Sequence, residues 1–145
     1  MHVKLRIILV SPPPGIDFAL QKGSGSDYEP IQKQRSATQN LSFDFSVEVK
    51  GLRQKDQFPD FRGPLVQGPV GARFIYIDIG SLAGQIDQLA WRLKVPLVDI
   101  TWETVEKFDS NPNAWLETQV PGTHKNGSPN CATVKPFDGW ALKIV

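Results

Sequence analysis

The chain has almost none of the residues that announce a covalent framework or a transition-metal site. One cysteine, Cys131, and two histidines, His2 and His124, occur in 145 residues. A single thiol excludes an internal disulfide and any cysteine-rich zinc site. It also suits a reducing compartment, so the chain is read as cytoplasmic. A histidine-based metal site would need carboxylates that no spacing brings to the histidines, and neither metal nor cofactor is expected. Charge of one sign is missing as well: 16 Lys and Arg against 15 Asp and Glu leave a net charge of +1. That is no field for tracking phosphates, and no nucleic-acid partner is expected. Long apolar runs are absent, since no stretch approaches the ~20 residues that cross a bilayer, and no membrane partner is expected. The opening "MHVKLRIILVSPPPG" places positive charge before an apolar run, as a signal peptide does. That run is short, however, and its Lys and Arg alternate with apolar residues as they would on a strand.

What remains is ordinary for a globular domain: 40% hydrophobic and 21% charged residues, and a length that reads as one domain, residues 1–145. "HVKLRIILV" puts Val3, Leu5, Ile7 and Leu9 on one face of a strand, and "SPPPG" stops it. "IDFALQK" reads as a second short strand. Residues 23–40, polar and rich in Gly and Ser, read as a long loop whose basic residues Lys33 and Arg35, with Lys22 before it and Tyr28 within it, are solvated or touch an acidic partner. "LSFDFSVEVK", residues 41–50, alternates apolar and polar positions throughout, as a strand with one face in the core does. "GLRQKDQFPDFRG" reads as a loop and "RFIYIDI", residues 73–79, as a central strand covered on both sides.

Two helices are expected. In "GSLAGQIDQLAWRLK", Leu82, Ile86, Leu89 and Leu93 recur at helical spacing, with Ser81 as N-cap and Pro96 as the stop. A shorter helix is expected in "DITWETVEKF", capped by Asp99 or Thr101, with Trp102, Val105 and Phe108 inward. "AWLETQV", "NCATVK" and "WALKIV" close the domain as strands. The fold class is therefore α+β: mainly antiparallel β, as a curved sheet, sandwich or small barrel, with one clear helix and one short helix.

"GPLVQGPVGARFIYIDIG", residues 63–80, has the glycine density of a phosphate-binding loop. Its glycines Gly63 and Gly68 are followed by Pro64 and Pro69, which have no N–H to offer an anion, and it leads into a strand rather than a helix. It matches neither the P-loop nor the dinucleotide fingerprint, and reads as punctuation before a strand. The free N–H groups of the helix start at Ser81 to Gly84 are the better anion candidate, though most such termini bind only water or their own cap.

Cys131 and His124 could form a nucleophile and base, with Asp78 as the acid. A lone cysteine entering a strand is more often a small buried hydrophobe. Asp78, within an apolar strand, is costly unless hydrogen-bonded. It either works as an acid or base in a cavity or is held structurally, by the helix start or by Arg73 or Arg92. Trp91, Trp102, Trp115 and Trp140 line a pocket or, as most tryptophans do, fill the core.

The stretches "PPPGIDFALQKG", "LSFDFSVEV", "FRGPLVQGPVGARFIYIDIGSLAGQ", "RLKVPL" and "CATVKPFDGW" resemble a family of small bacterial proteins known as a domain of unknown function. The resemblance spans nearly the whole chain and implies a single bacterial domain. It carries no activity, cofactor or catalytic residue across.

The leading expectation is a non-enzymatic domain that binds a small molecule or a protein. Its site would hold Gln67, Arg73, Tyr76, Ser81 and Gln85 as polar contacts and Trp91 as an apolar wall. One alternative is a small hydrolase or transferase using Cys131, His124 and Asp78. The other is an interaction subunit that pairs through a sheet edge.

Overall fold

Alternation of apolar and polar residues becomes structure first at the N-terminus. In β1 (His2–Val10) the side chains of Val3, Leu5, Ile7 and Leu9 are fully buried, while those between them reach the surface. A computed structural model describes residues 1–12, 14–22, 29–51, 58–80, 89–121, 132–133 and 139–144. The remaining elements are β2 (Asp17–Lys22), β3 (Glu29–Arg35), β4 (Leu41–Lys50), β5 (Asp60–Arg62), β6 (Phe74–Gly80), β7 (Leu89–Pro96), α1 (Trp102–Ser110), β8 (Trp115–Pro121), β9 (Ala132–Thr133) and β10 (Ala141–Lys143).

The strands form two five-stranded sheets, ordered β10-β8-β1-β4-β5 and β3-β2-β6-β7-β9. β1 runs antiparallel to β4 and parallel to β8, and β7 runs parallel to β9; the other pairings are antiparallel. Both sheets feed one core. Val3, Leu5, Ile7, Phe43, Phe45, Leu116 and Val120 enter it from the first, and Phe18, Leu20, Ile75, Ile77, Leu93 and Val95 from the second. Each large side chain so buried contributes about 1.5–3 kcal/mol relative to exposure. The fold is thus mostly β and broadly α+β, and among the described residues neither sheet closes into a barrel.

α1 forms where the sequence places its short helix. Thr101 is the N-cap, its Oγ1 accepting the Thr104 N–H at 3.3 Å, with Glu103 in the first turn and Lys107 in the last. These charges suit the helix dipole. Val105 and Phe108 are buried and Trp102 packs against the core. Asn111 ends the helix, its N–H bonding back to the Phe108 carbonyl and its side chain to that of Lys107.

Three expectations need correction. The longer helix is replaced from Leu89 onward by β7, which pairs antiparallel with β6 from Phe74↔Pro96 to Gly80↔Leu89. Residues 81–88 lie outside the described residues. The tail of the helical pattern also reads as alternation, because Leu89, Trp91, Leu93 and Val95 sit at every second position. A waiting β6 edge offers a ladder that a helix would forgo. The 23–40 segment is not all loop: Glu29–Arg35 pairs with β2, although its sequence lacks an apolar face. Its ladder and the Arg35–Asp17 ion pair at 2.9 Å hold it instead. Within "GLRQKDQFPDFRG", Asp60–Arg62 pairs with β4 because Phe61 supplies a core side chain.

Candidate functional site

Residues expected at a site fall into two places. The first is the outer face of the second sheet. β6 turns Ile75 and Ile77 into the core, so Phe74, Tyr76 and Asp78 stand on the other side. Tyr76 is opposite Lys94 of β7, and Asp78 is opposite Ala19 of β2. The Phe74 and Tyr76 rings lie 4.8 Å apart, and the Lys94 ammonium sits 4.1 Å from the Phe74 ring centre. Asp78 is only 2% exposed, and the side-chain amide of Gln21, itself 4% exposed, donates to its Oδ2. A buried carboxylate is costly unless hydrogen-bonded, and here an amide serves it. Gln67 joins this face by bridging to Phe74, and its Nε2 is buried with no partner. Gln21 and Lys94 were not singled out from the sequence. The signal for Gln21 was its place two residues beyond Ala19, on the face of β2 opposite Phe18 and Leu20.

The second place is a hollow between three segments, lined by Phe58, Pro59, Phe61, Gly71, Arg73, Leu97, Val98 and Ile100. The glycine-proline loop shapes it. Gln67 and Phe74 exchange backbone hydrogen bonds at 3.0 Å, and Ala72 N–H bonds to the Pro69 carbonyl at 2.9 Å, so the chain doubles back. Gly68 has φ +86°, and a Cβ there would stand 2.7 Å from both the Ala72 carbonyl oxygen and the Phe74 ring. Gly71, at φ +87°, lies against the Phe58 ring. The loop is a tight return, with glycine at two positions whose left-handed backbone and close neighbours disfavour a side chain.

Arg73 fastens that return to β5. Its Nη1 donates to the Gly68 carbonyl and its Nη2 to Asp60 Oδ1 at 3.1 Å, and Leu97 N–H bonds to its carbonyl at 2.9 Å. Asp60 is also gripped in two-pronged fashion by Arg62, at 2.9 and 3.0 Å. Arg62, then Arg73, hold the Asp60 carboxyl below the usual carboxylate range. Arg73 therefore orients a protein carboxylate and a loop carbonyl, while its Nε is buried with no partner.

Apolar exposure is concentrated at this hollow. Among the described residues the exposed large hydrophobics are Met1, Phe58, Val70, Val98 and Ile144. Met1 and Ile144 lie at the ends of the described chain. Phe58 (50%) and Val98 (38%) line the hollow, and Val70 (50%) directly precedes Gly71 of its lining in the chain.

Of the other expected residues, Trp91 lies in β7 opposite Ile79. Ser81, Gln85, His124 and Cys131 lie outside the described residues, as does the proposed helix start at Ser81 to Gly84. Gln67, Tyr76 and Asp78 are brought to one face, and Arg73 belongs to the hollow. Trp115 stands on the outer face of the first sheet beneath Lys4 (5.2 Å) and Arg6 (4.5 Å), with Arg6 paired to Asp44 at 2.8 Å. Trp102 and Trp140 pack on the core, the latter donating to the Pro96 carbonyl.

Among the described residues no helix is long and apolar enough to cross a membrane. Comparison with curated proteins and with solved structures finds no match. The chain does match, over residues 3–143, a family of unknown function, and it belongs to that family, DUF5990.

Proposed function

We propose that this chain is a cytoplasmic, non-enzymatic binding domain built on a two-sheet sandwich, and that it seats an apolar side chain of a partner protein in the hollow beside Phe58. One observation carries the reading. Among the described residues, two of the three exposed large hydrophobics away from the chain's ends, Phe58 and Val98, line that hollow, and the third, Val70, directly precedes Gly71 of its lining. Solitary surface hydrophobics need no explanation, whereas a cluster rimmed by charge marks an interaction site.

Size separates a protein partner from a small-molecule ligand. The hollow is a shallow surface depression whose roughly 180 Å³ includes open solvent, and it encloses none of the roughly 300–1,000 Å³ of a ligand pocket. A shallow apolar depression suits contact with a partner's side chain rather than engulfment of a ligand. Arg62, half-exposed and next in sequence to Phe61 of the lining, shares Asp60 with Arg73 of the lining, which puts two guanidiniums on one carboxylate. A partner residue bearing a carboxylate next to the docked side chain complements that surplus.

Burial of one side chain supplies about 1.5–3 kcal/mol, which by itself corresponds to a Kd of roughly 6–80 mM, so isolated segments bind weakly. The test is a titration with capped pentapeptides centred on Leu, Phe or Ala, with Asp or Asn as the next residue, followed by backbone amide chemical shifts. Leu- and Phe-centred peptides are expected to shift the amides of Gly71, Val98 and Ile100, more strongly with Asp than with Asn. Phe58→Asp abolishes the shifts. Absence of shifts at tens of millimolar peptide, or shifts elsewhere on the surface, refutes the reading.

A further inference from the structure

Among the described residues, one edge of β4 is covered by a neighbouring strand only at Glu48 to Lys50. The Val49 N–H bonds to the Met1 carbonyl at 2.8 Å, so the odd-numbered backbone groups of β4 face β1. By the alternation of an antiparallel ladder, the even-numbered groups of Ser42, Asp44 and Ser46 face the other way. On that side β5 pairs only with Glu48 to Lys50. Among the described residues, the stretch from Leu41 to Ser46 is therefore an open strand edge within an otherwise paired sheet. Such an edge is a template for strands from other molecules.

Two side chains from the other sheet cover it. The Gln32 amide donates to the Asp44 carbonyl at 2.9 Å, and the Gln34 amide donates to the Ser42 carbonyl at 2.7 Å. Both belong to β3, the outermost strand of the second sheet. The backbone of β3 is irregular where this happens. Its register against β2 jumps from Phe18↔Gln34 to Leu20↔Ile31, so Gln32 and Lys33 stand opposite the single residue Ala19. Within this bulge Gln32 has φ +48°, a left-handed conformation that side-chain-bearing residues rarely adopt. Bulges re-aim side chains, and an unfavourable backbone angle persists only where its surroundings over-determine it.

We propose that β3 is a clasp: its bulge and the left-handed Gln32 aim two side-chain amides onto β4, and this closes the β4 edge to a strand from a second copy of the chain. An amide N–H can cap a strand carbonyl, as a partner strand would, while offering no continuing ladder of its own. Such capping also explains how a strand as polar as "EPIQKQR" earns a fixed place beside the core sheet. The clasp is independent of the hollow beside Phe58, which lies at the opposite end of β4, next to β5.

The test is the concentration dependence of molar mass by light scattering. Gln32→Gly combined with Gln34→Ala removes both caps, and glycine tolerates the left-handed angle, so the bulge itself is not strained further. This variant is expected at least to double its mass over a concentration range in which the wild type keeps its own. Adding Ser46→Lys, a charge on the open edge, is expected to restore the wild-type mass. Gln34→Ala alone leaves the bulge untouched and is expected to raise the mass only at the upper end of that range. The proposal is overturned if neither cap variant gains mass, or if Ser46→Lys fails to reverse the gain, since the contact would then lie elsewhere.

Discussion

Replacing Thr118 by valine should make this protein more stable. Thr118 lies in β8 opposite Ile7 of β1, and its neighbours on the same face, Leu116 and Val120, are fully buried. The threonine itself is 2% exposed, and its hydroxyl oxygen is buried with no hydrogen-bond partner. Removing a hydroxyl from water without giving it a partner costs about 1–3 kcal/mol in proteins. Valine keeps the branched shape and fits a strand at least as well, so no cavity opens and no rotamer changes. Taking the lower half of that range, Thr118→Val should gain about 1–2 kcal/mol, or roughly 3–6 °C in Tm for a chain of this size. Urea unfolding at constant slope reads the gain as a higher midpoint; a changed slope would mean that the unfolded or native ensemble had altered. A loss of 0.5 kcal/mol or more would show that the hydroxyl is satisfied in the folded protein, and the reasoning from an orphaned core hydroxyl would fall.

Gly68→Ala meets both an unfavourable φ of +86° and contacts at 2.7 Å, and should lose about 2–4 kcal/mol. Gly15→Ala, with φ +78° but open space around it, should lose only about 1–2 kcal/mol; equal losses in thermal melts would show that the loop yields without cost. Asp78→Ala leaves the buried Gln21 amide without its acceptor and should cost about 2–3 kcal/mol, which chemical denaturation would measure; a neutral result would remove Asp78 from the structural account. Asp44 is held below the usual carboxylate pKa by Arg6 and then Ser42, and Asp60 by Arg62 and then Arg73. Because the folded pKa is the lower one, their contribution is complete above the unfolded value near 4 and fades as pH falls through the folded values. Stability should therefore decline below about pH 4, and Asp60→Asn should flatten part of that limb; identical acid limbs for variant and wild type would exclude Asp60 as a contributor.

The strands that the sequence announced most clearly are those in which alternation and burial coincide. β1 and β4 carry four and five apolar residues at every second position, and no other local structure buries them all on one side. α1 was legible for the same reason, with Thr101 as cap and Val105 and Phe108 one turn apart. β3 was illegible because a polar strand is held by what it pairs with, and nothing local in "EPIQKQR" encodes β2. β7 was misread because seven residues satisfy a helical and an extended period equally well, and the edge of β6 decides between them. Site residues divided likewise. Gly68 and Gly71 could be recognised as turn residues, since φ above zero is a property of the residue alone. The meeting of Phe58, Gly71 and Val98 could not, since they come from three segments 13 to 40 positions apart.

By itself, then, the sequence determined which residues must leave water and which turns must be glycine, because side-chain solvation and backbone sterics are local properties. The tertiary structure alone decided that two sheets share one core, that the Gln32 and Gln34 amides reach carbonyls of β4, and that Arg73 pairs with Asp60. Hydrogen-bond partners and exposed patches arise from segments distant along the chain, and only their positions in space bring them together.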